Sequence, residues 1–185
     1  MDTATPAFQK AIAFILPHEE EFARGHWGDE NFVVAENVPG DSGGWTKYGI
    51  DASSHPGVDI KDLTRPQAIA IYWEEWRFRN LDALPAKLAI ACFDVMVNGG
   101  FAVRWLQTAL NKISHIYPPL SVDGDAGTKT IAAALACDQD AVVRYFLNER
   151  DARFVSLAAN HPQDRQFLKG WEQRDTDLRK YLLAA

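Results

Sequence analysis

Thr5-Pro6-Ala7-Phe8-Gln9-Lys10-Ala11-Ile12-Ala13-Phe14-Ile15-Leu16-Pro17-His18-Glu19-Glu20-Glu21-Phe22 is the stretch that decides the fold. Thr5 is a helix N-cap and Pro6 suits the first helical position. Phe8, Ile12, Ile15, Glu19 and Phe22 then recur at helical spacing, within about 40° of one direction at ~100° per residue. The spacing predicts an amphipathic helix from Thr5 to Phe22 with a carboxyl group set in its apolar stripe. Glu20 and Glu21 point away from that stripe. A carboxyl group against Phe and Ile side chains is poorly solvated, which favours the protonated form a general acid needs. The bland reading is that Glu19 reaches solvent or pairs with Arg77 or Arg104.

Past this helix the period breaks. Gly25, Gly28, Gly40, Gly43 and Gly44 punctuate two β-prone runs, Asn31–Ala35 and Trp45–Ile50. They predict a small hairpin or three-stranded element near residues 30–50. From Thr64 onward the signal is helical. Thr64 caps a helix carrying Ala68, Ile71, Tyr72, Glu75 and Trp76. Ala86–Val97 is apolar nearly all round and reads as a central buried helix. Val103, Leu106, Gln107 and Leu110 mark the next one, and further helices are expected near 128–136, 140–158 and 164–183. The fold class is therefore mainly α with one small β element.

Bulk properties exclude several functions. With 47% hydrophobic residues, 10 Phe and 6 Trp, the 185-residue chain can build a sizeable core, so disorder is excluded. A net charge of −6 and a pI near 5.3 argue against nucleic acid as partner, because phosphate binding needs clustered Lys and Arg. No stretch approaches ~18 apolar residues, so no stable membrane insertion is expected, and nothing at the N-terminus reads as a secretory signal. Cys92 and Cys137 make no disulfide framework and are expected to be buried free thiols. The His residues at 18, 26, 55, 115 and 161 form no metal-ligand pair on one helix. Val122-Asp123-Gly124-Asp125-Ala126-Gly127 lacks the alternating acids of a calcium loop and reads as a tight turn before a helix. Neither metal nor cofactor is expected. His18 reads as a cleft residue beside Glu19. Trp45 and Tyr48 are the first aromatics expected to line a cleft, where flat rings can pack on sugars.

A second segment sharpens the reading. Asp41-Ser42-Gly43-Gly44-Trp45-Thr46-Lys47-Tyr48-Gly49-Ile50, with His18-Glu19 before it, resembles glycoside hydrolase family 108, the phage and bacterial N-acetylmuramidases. That family's pattern runs His-Glu-Gly-Gly-Tyr, a spacer, then Asp-x-Gly-Gly-x-Thr-x-Tyr-Gly-Ile. The resemblance continues through Asp94-x-x-Val97-Asn98-x-Gly100, Leu106-Gln107-x-Ala109-Leu110 and Val122-Asp123-Gly124-x-x-Gly127-x-x-Thr130. It ends with Phe167-x-x-Gly170-Trp171-x-x-Arg174, so it spans nearly the whole chain. Two departures stand out: Glu20 and Glu21 replace Gly-Gly, and the spacer before Asp41 is long and holds Asp29.

The resemblance implies a lysozyme-like helical fold. Residues 1–100 would form the catalytic lobe and 101–185 a helical peptidoglycan-binding-like region, packed as one compact unit. It implies a muramidase cleaving the β-1,4 bond between N-acetylmuramic acid and N-acetylglucosamine in peptidoglycan glycan strands. Glu19 would be the general acid, and Asp41 the second carboxylate, with Asp29 as its rival. Thr46 would hold the water, and His18, Trp45, Tyr48 and Asn98 would bind substrate. Such enzymes are commonly phage endolysins, here expected to act as a monomer. They are made in the host cytoplasm and reach the periplasm through a holin-type lesion. A lytic transglycosylase, which uses one Glu and no water, and a non-catalytic peptidoglycan-binding protein remain as alternatives.

Overall fold

In a computed structural model of the chain, residues 4–22, 35–37 and 44–184 are described. The fold is mainly α with one small antiparallel sheet, and the chain divides into two units, Met1–Phe78 and Arg79–Ala185.

In the first unit α1 covers Pro6–Phe22. Thr5 caps it: the Phe8 amide donates to Thr5 Oγ1 at 3.3 Å, and the Gln9 amide to the Thr5 carbonyl at 2.9 Å. The predicted stripe is inside, with Phe8, Ile12 and Ile15 buried, and Ala11, Phe14 and Leu16 widen it. Pro17 lies inside the helix, which continues past it to Phe22. It has no N–H for the Ala13 carbonyl, and its ring crowds that turn. The next residue, His18, folds back over the helix. Its Nδ1 donates to the Phe14 carbonyl at 2.8 Å, and its ring lies 4.3 Å from that of Phe14. A carbonyl only accepts, so Nδ1 carries a proton.

The sheet has the order β1-β2-β3, with β1 at Glu36–Asn37, β2 at Trp45–Lys47 and β3 at Ile50–Asp51. Glu36 faces Thr46, and Thr46 faces Asp51. Of the two runs read from sequence, residues 31–34 lie outside the described residues, and the first described strand, Glu36–Asn37, begins just past Ala35. The second run is not one strand. It folds on itself at Tyr48 and Gly49, whose φ angles are 55° and 76°. Two successive positive φ values make the tight turn that matches the twist of a hairpin.

Helix α2, Arg65–Phe78, starts with a capping box. Gln67 reaches back, so that its Oε1 accepts from the Thr64 amide at 2.8 Å and the Thr64 hydroxyl at 2.7 Å. Ala68, Tyr72 and Trp76 form its buried face. Phe8 of α1 fits between Trp73 and Trp76, at ring distances of 4.9 and 5.6 Å.

The second unit is built from α3 (Ala86–Val97), α4 (Ala102–Ser114), α5 (Thr128–Ala136), α6 (Gln139–Asn160) and α7 (Arg165–Leu183). As its all-round apolarity predicts, α3 is buried continuously from Leu88 to Val95. Gln107 of α4 pins the turn that follows. Its Nε2 reaches Asp123 Oδ1 at 2.8 Å and the Asp125 carbonyl at 3.0 Å, while its Oε1 accepts from the Gly124 amide at 2.9 Å. Asp123 is thereby a turn residue, as read. The cysteines are free, but only Cys92 is fully buried, with burial pushing its thiol up to about 12. Cys137 sits just past the end of α5, half-buried, and its thiol donates to the Ala134 carbonyl at 3.2 Å. It closes a helix end instead of filling the core.

One acid lies in the apolar centre. Asp94 of α3 is fully buried between Arg150 of α6, at 2.6 Å, and Arg174 of α7, at 2.7 Å. Burial opposes its ionisation, but the two guanidinium groups outweigh burial and hold it below the usual carboxylate range. Asp175, also fully buried, touches Arg150 at 2.9 Å. For Asp175 burial wins: helped by the nearby carboxylates of Asp151 and Asp94, it outweighs Arg150 and pushes the group up to about 7. Removing one partner of such a buried pair typically costs about 3–5 kcal/mol.

These two groups give opposite pH dependences. Between its ordinary value of 3.8 and about 7, Asp175 binds more proton folded than unfolded, so rising pH destabilises the fold. Asp94 contributes stability that is lost as pH falls below 3.8. The melting temperature should therefore fall by roughly 5–10 °C between pH 5 and pH 8. Asp175→Asn should flatten that slope in a calorimetric scan; an unchanged slope would assign it to another group.

Candidate active site

The site is built on the first unit. Glu19 sits beyond Phe8, Ile12 and Ile15 on the stripe of α1, where the helix leaves the core. Its side chain is half-buried rather than enclosed. The β2–β3 turn comes down on it. A β-carbon placed on Gly49 would stand 2.8 Å from Glu19 Oε2, 2.9 Å from its carboxyl carbon and 2.7 Å from the hydroxyl of Tyr72. Real β-carbons do not approach that closely, so the carboxyl group and the phenol fill space that only a glycine leaves open. Its φ of 76° independently favours glycine.

Tyr72 supports this turn from below. It is buried on α2, and its hydroxyl donates to the Tyr48 carbonyl at 2.7 Å. Tyr48 is held at a φ of 55°, which is uncommon for a bulky residue. At the far end of β3, Asp51 makes its own turn. Its carboxylate accepts from the Ser53 hydroxyl at 2.5 Å and the Ser54 amide at 2.9 Å. Those hydrogen bonds outweigh its partial burial and keep it below the ordinary carboxylate range. His55 then joins the turn to α2, with Nε2 3.1 Å from Glu75 Oε1.

The residues singled out from sequence divide clearly. Glu19, Tyr48 and Gly49 meet in one place. Thr46 is half-buried on β2, two residues before the turn. Trp45 is 37% exposed, with the Lys61 ammonium 4.2 Å from its ring. Tyr48 was expected to offer a flat surface in the cleft, but at 6% exposure its ring is core. His18 is half-buried on α1, with its ring against Phe14. Asp41 and Asp29 lie outside the described residues. Asn98 belongs to the second unit. It is exposed at the end of α3, and its side-chain and backbone N–H groups both donate to the Asp94 carbonyl. Arg77, one alternative partner for Glu19, lies 3.6 Å from Glu74, and Arg104 donates to the Val122 carbonyl at 2.8 Å. Among the described residues no cluster of three or more His, Cys, Asp or Glu side chains could hold a metal, and no helix is long and apolar enough to cross a membrane.

Sequence reasoning missed the part played by Tyr72, placing it only on the helix that Thr64 caps. A signal was present: a Tyr in line with Ala68 and Trp76 is buried, and a buried phenol needs a partner for its hydroxyl.

A half-buried carboxyl group beside a glycine turn suits proton transfer to a bound sugar, and comparisons point the same way. Residues 33–100 match the glycosyl hydrolase 108 family, and residues 101–176 match a predicted peptidoglycan domain. Thr46, Tyr48 and Gly49 fall inside the first match, whereas Glu19 precedes it. The solved structure of Brucella abortus SagA is 26% identical over 98% of this chain and 96% of its own, with a TM-score of 0.74. No curated protein matches the sequence. A segment similar to glycosyl hydrolase 108, a peptidoglycan domain behind it and a fold shared with a solved structure over 98% of the chain mark this protein as a glycoside hydrolase that acts on peptidoglycan.

Proposed function

We propose that the protein is an N-acetylmuramidase, cleaving the β-1,4 bond between N-acetylmuramic acid and N-acetylglucosamine with Glu19 as general acid. The observation that carries this is the closure of the Gly49 turn on the Glu19 carboxyl group. The turn fixes where the acid can deliver its proton. Glu19 protonates the bridging oxygen as the bond to the anomeric carbon breaks, and positive charge builds on the ring. Asp41 is the carboxylate we assign to stabilise that charge or to activate water, and Thr46 the hydroxyl that holds the water. Trp45 is the ring left to pack on a sugar, with His18 beside the acid and Asn98 as a further contact. Residues 1–100 carry the chemistry in this reading, and 101–185 hold the wall. In this reading the enzyme is an endolysin. Such an enzyme works as a monomer and passes from the host cytoplasm through a holin-type lesion to the wall.

Glu19→Gln tests the acid. The variant should fold normally by circular dichroism, yet clear outer-membrane-stripped Gram-negative cells at least about 10³-fold more slowly. Wild-type clearing by the variant would remove Glu19 from the mechanism. Mass spectrometry of the wild-type products decides the reaction: reducing muramic acid ends are expected, whereas 1,6-anhydro ends would make it a lytic transglycosylase.

Gly49→Ala tests the geometry. The added methyl group meets the carboxyl group, so kcat should fall about 100-fold. The melting temperature should fall as well, because alanine is strained at this φ. Unchanged kcat would mean that the turn does not position the acid.

A further inference from the structure

We propose that Tyr72 is a positioning residue for the hydrolysis, its hydroxyl locking the Tyr48–Gly49 turn onto Glu19. The inference rests on the reading of Glu19 as the acid, and it assigns to α2 the task of setting the distance between α1 and the hairpin. Tyr72 is 2% exposed, in line with Ala68 and Trp76. Trp76 is packed edge-on against Phe8 of α1. The phenol therefore stands on a frame fixed to the helix that carries Glu19. From that frame it donates 2.7 Å to the Tyr48 carbonyl.

The turn needs such a hold. Tyr48 at a φ of 55° is strained, and left alone a Tyr-Gly pair has little reason to stay there. Without the hydroxyl, a carbonyl next to a buried ring loses its partner, and the hairpin end can drift from the carboxyl group. Trp45 and Thr46 ride on the same hairpin. Drift would alter their spacing from Glu19 as well, and a displacement of about 1 Å can cost on the order of 100-fold in rate. Substrate contacts elsewhere would be untouched. Trp45 is the sugar contact that moves with the hairpin, so the signature is a loss that falls mainly on kcat, with KM shifting by at most about twofold.

The test uses two backgrounds. Tyr72→Phe keeps the ring and removes only the hydroxyl. Measured on soluble glycan fragments well below the melting temperature, kcat should fall about tenfold with KM within twofold. Tyr48→Asn converts the turn to an Asn-Gly pair, which adopts two positive φ angles unaided. In that background Tyr72→Phe should change kcat by less than twofold, because the turn holds itself. An unchanged kcat for Tyr72→Phe in the natural chain overturns the proposal. So does an equal loss in both backgrounds, which would have the hydroxyl act elsewhere. If Tyr72→Phe alone fails to fold, Tyr48→Asn with and without it still decides: equal kcat supports the turn, and a tenfold gap overturns it. Glu19→Gln is assayed alongside. If it is active, both readings fall; if it is inactive while Tyr72→Phe behaves as wild type, only the role of Tyr72 falls.

Discussion

At position 49 the absence of a side chain is the constraint on which the first unit depends. Two oxygens from different helices, Glu19 Oε2 and Tyr72 Oη, occupy the space a β-carbon would need. The hairpin can close on α1 and α2 only because nothing projects there. The residue before it is placed at some cost, since a bulky side chain at positive φ is strained by roughly 1–3 kcal/mol. Burial of the Tyr48 ring stabilises by about 1.5–3 kcal/mol. The hydrogen bond from Tyr72 adds about 0.5–1.5 kcal/mol. Together these exceed the strain, so the turn is stable as a consequence of its surroundings rather than of its own sequence.

The second unit is organised around charge. Asp94 on α3 takes one guanidinium from α6 and one from α7, and each contact also sets the rotation of the helix that provides it. A mismatch in either helix would strand a buried charge, at several kcal/mol. This gives two motif blocks a shared physical meaning. Asp94 opens one and Arg174 closes the other, 80 residues later. Asn98, in the same block as Asp94, folds back on its carbonyl and ends the helix. Residues that sequence reading placed in a functional pattern thus also have a structural task.

What was legible in the sequence follows from where its signals originate. Helices α1 to α7 could be read because their caps and apolar periods are local: Thr5 and Thr64 bond within three residues of themselves. Glu19 could be singled out because a charged residue within an apolar stripe is conspicuous in one dimension. The hairpin was harder. Trp45–Ile50 alternates like one strand, and only φ angles reveal that Tyr48 and Gly49 turn it back. Tyr48 was misplaced for the same reason, since the turn swings its ring from a strand face into the core. The buried ion cluster was invisible because its members lie 56 and 80 residues from Asp94, and no local pattern links them.

The two units also show why a displaced titration is a poor guide to the site in this protein. Unusual proton affinity often marks function, because catalysis demands it. Asp175 is pushed up to about 7 and Asp94 is held low, yet both are sealed inside a helical core that no glycan can reach. Their displacement follows from burial among fixed charges, which any ion pair closed within a core would show. The candidate acid is recognised differently. It is half-buried, at the point where an apolar stripe meets solvent, and the fold holds a bulky residue at positive φ to bring a glycine turn against it. Local strain of this kind persists only where the surroundings impose it. Tyr72 imposes it here, on the carbonyl of the strained residue itself. The strained turn, rather than a buried ion pair, is therefore the feature on which the proposed acid site rests.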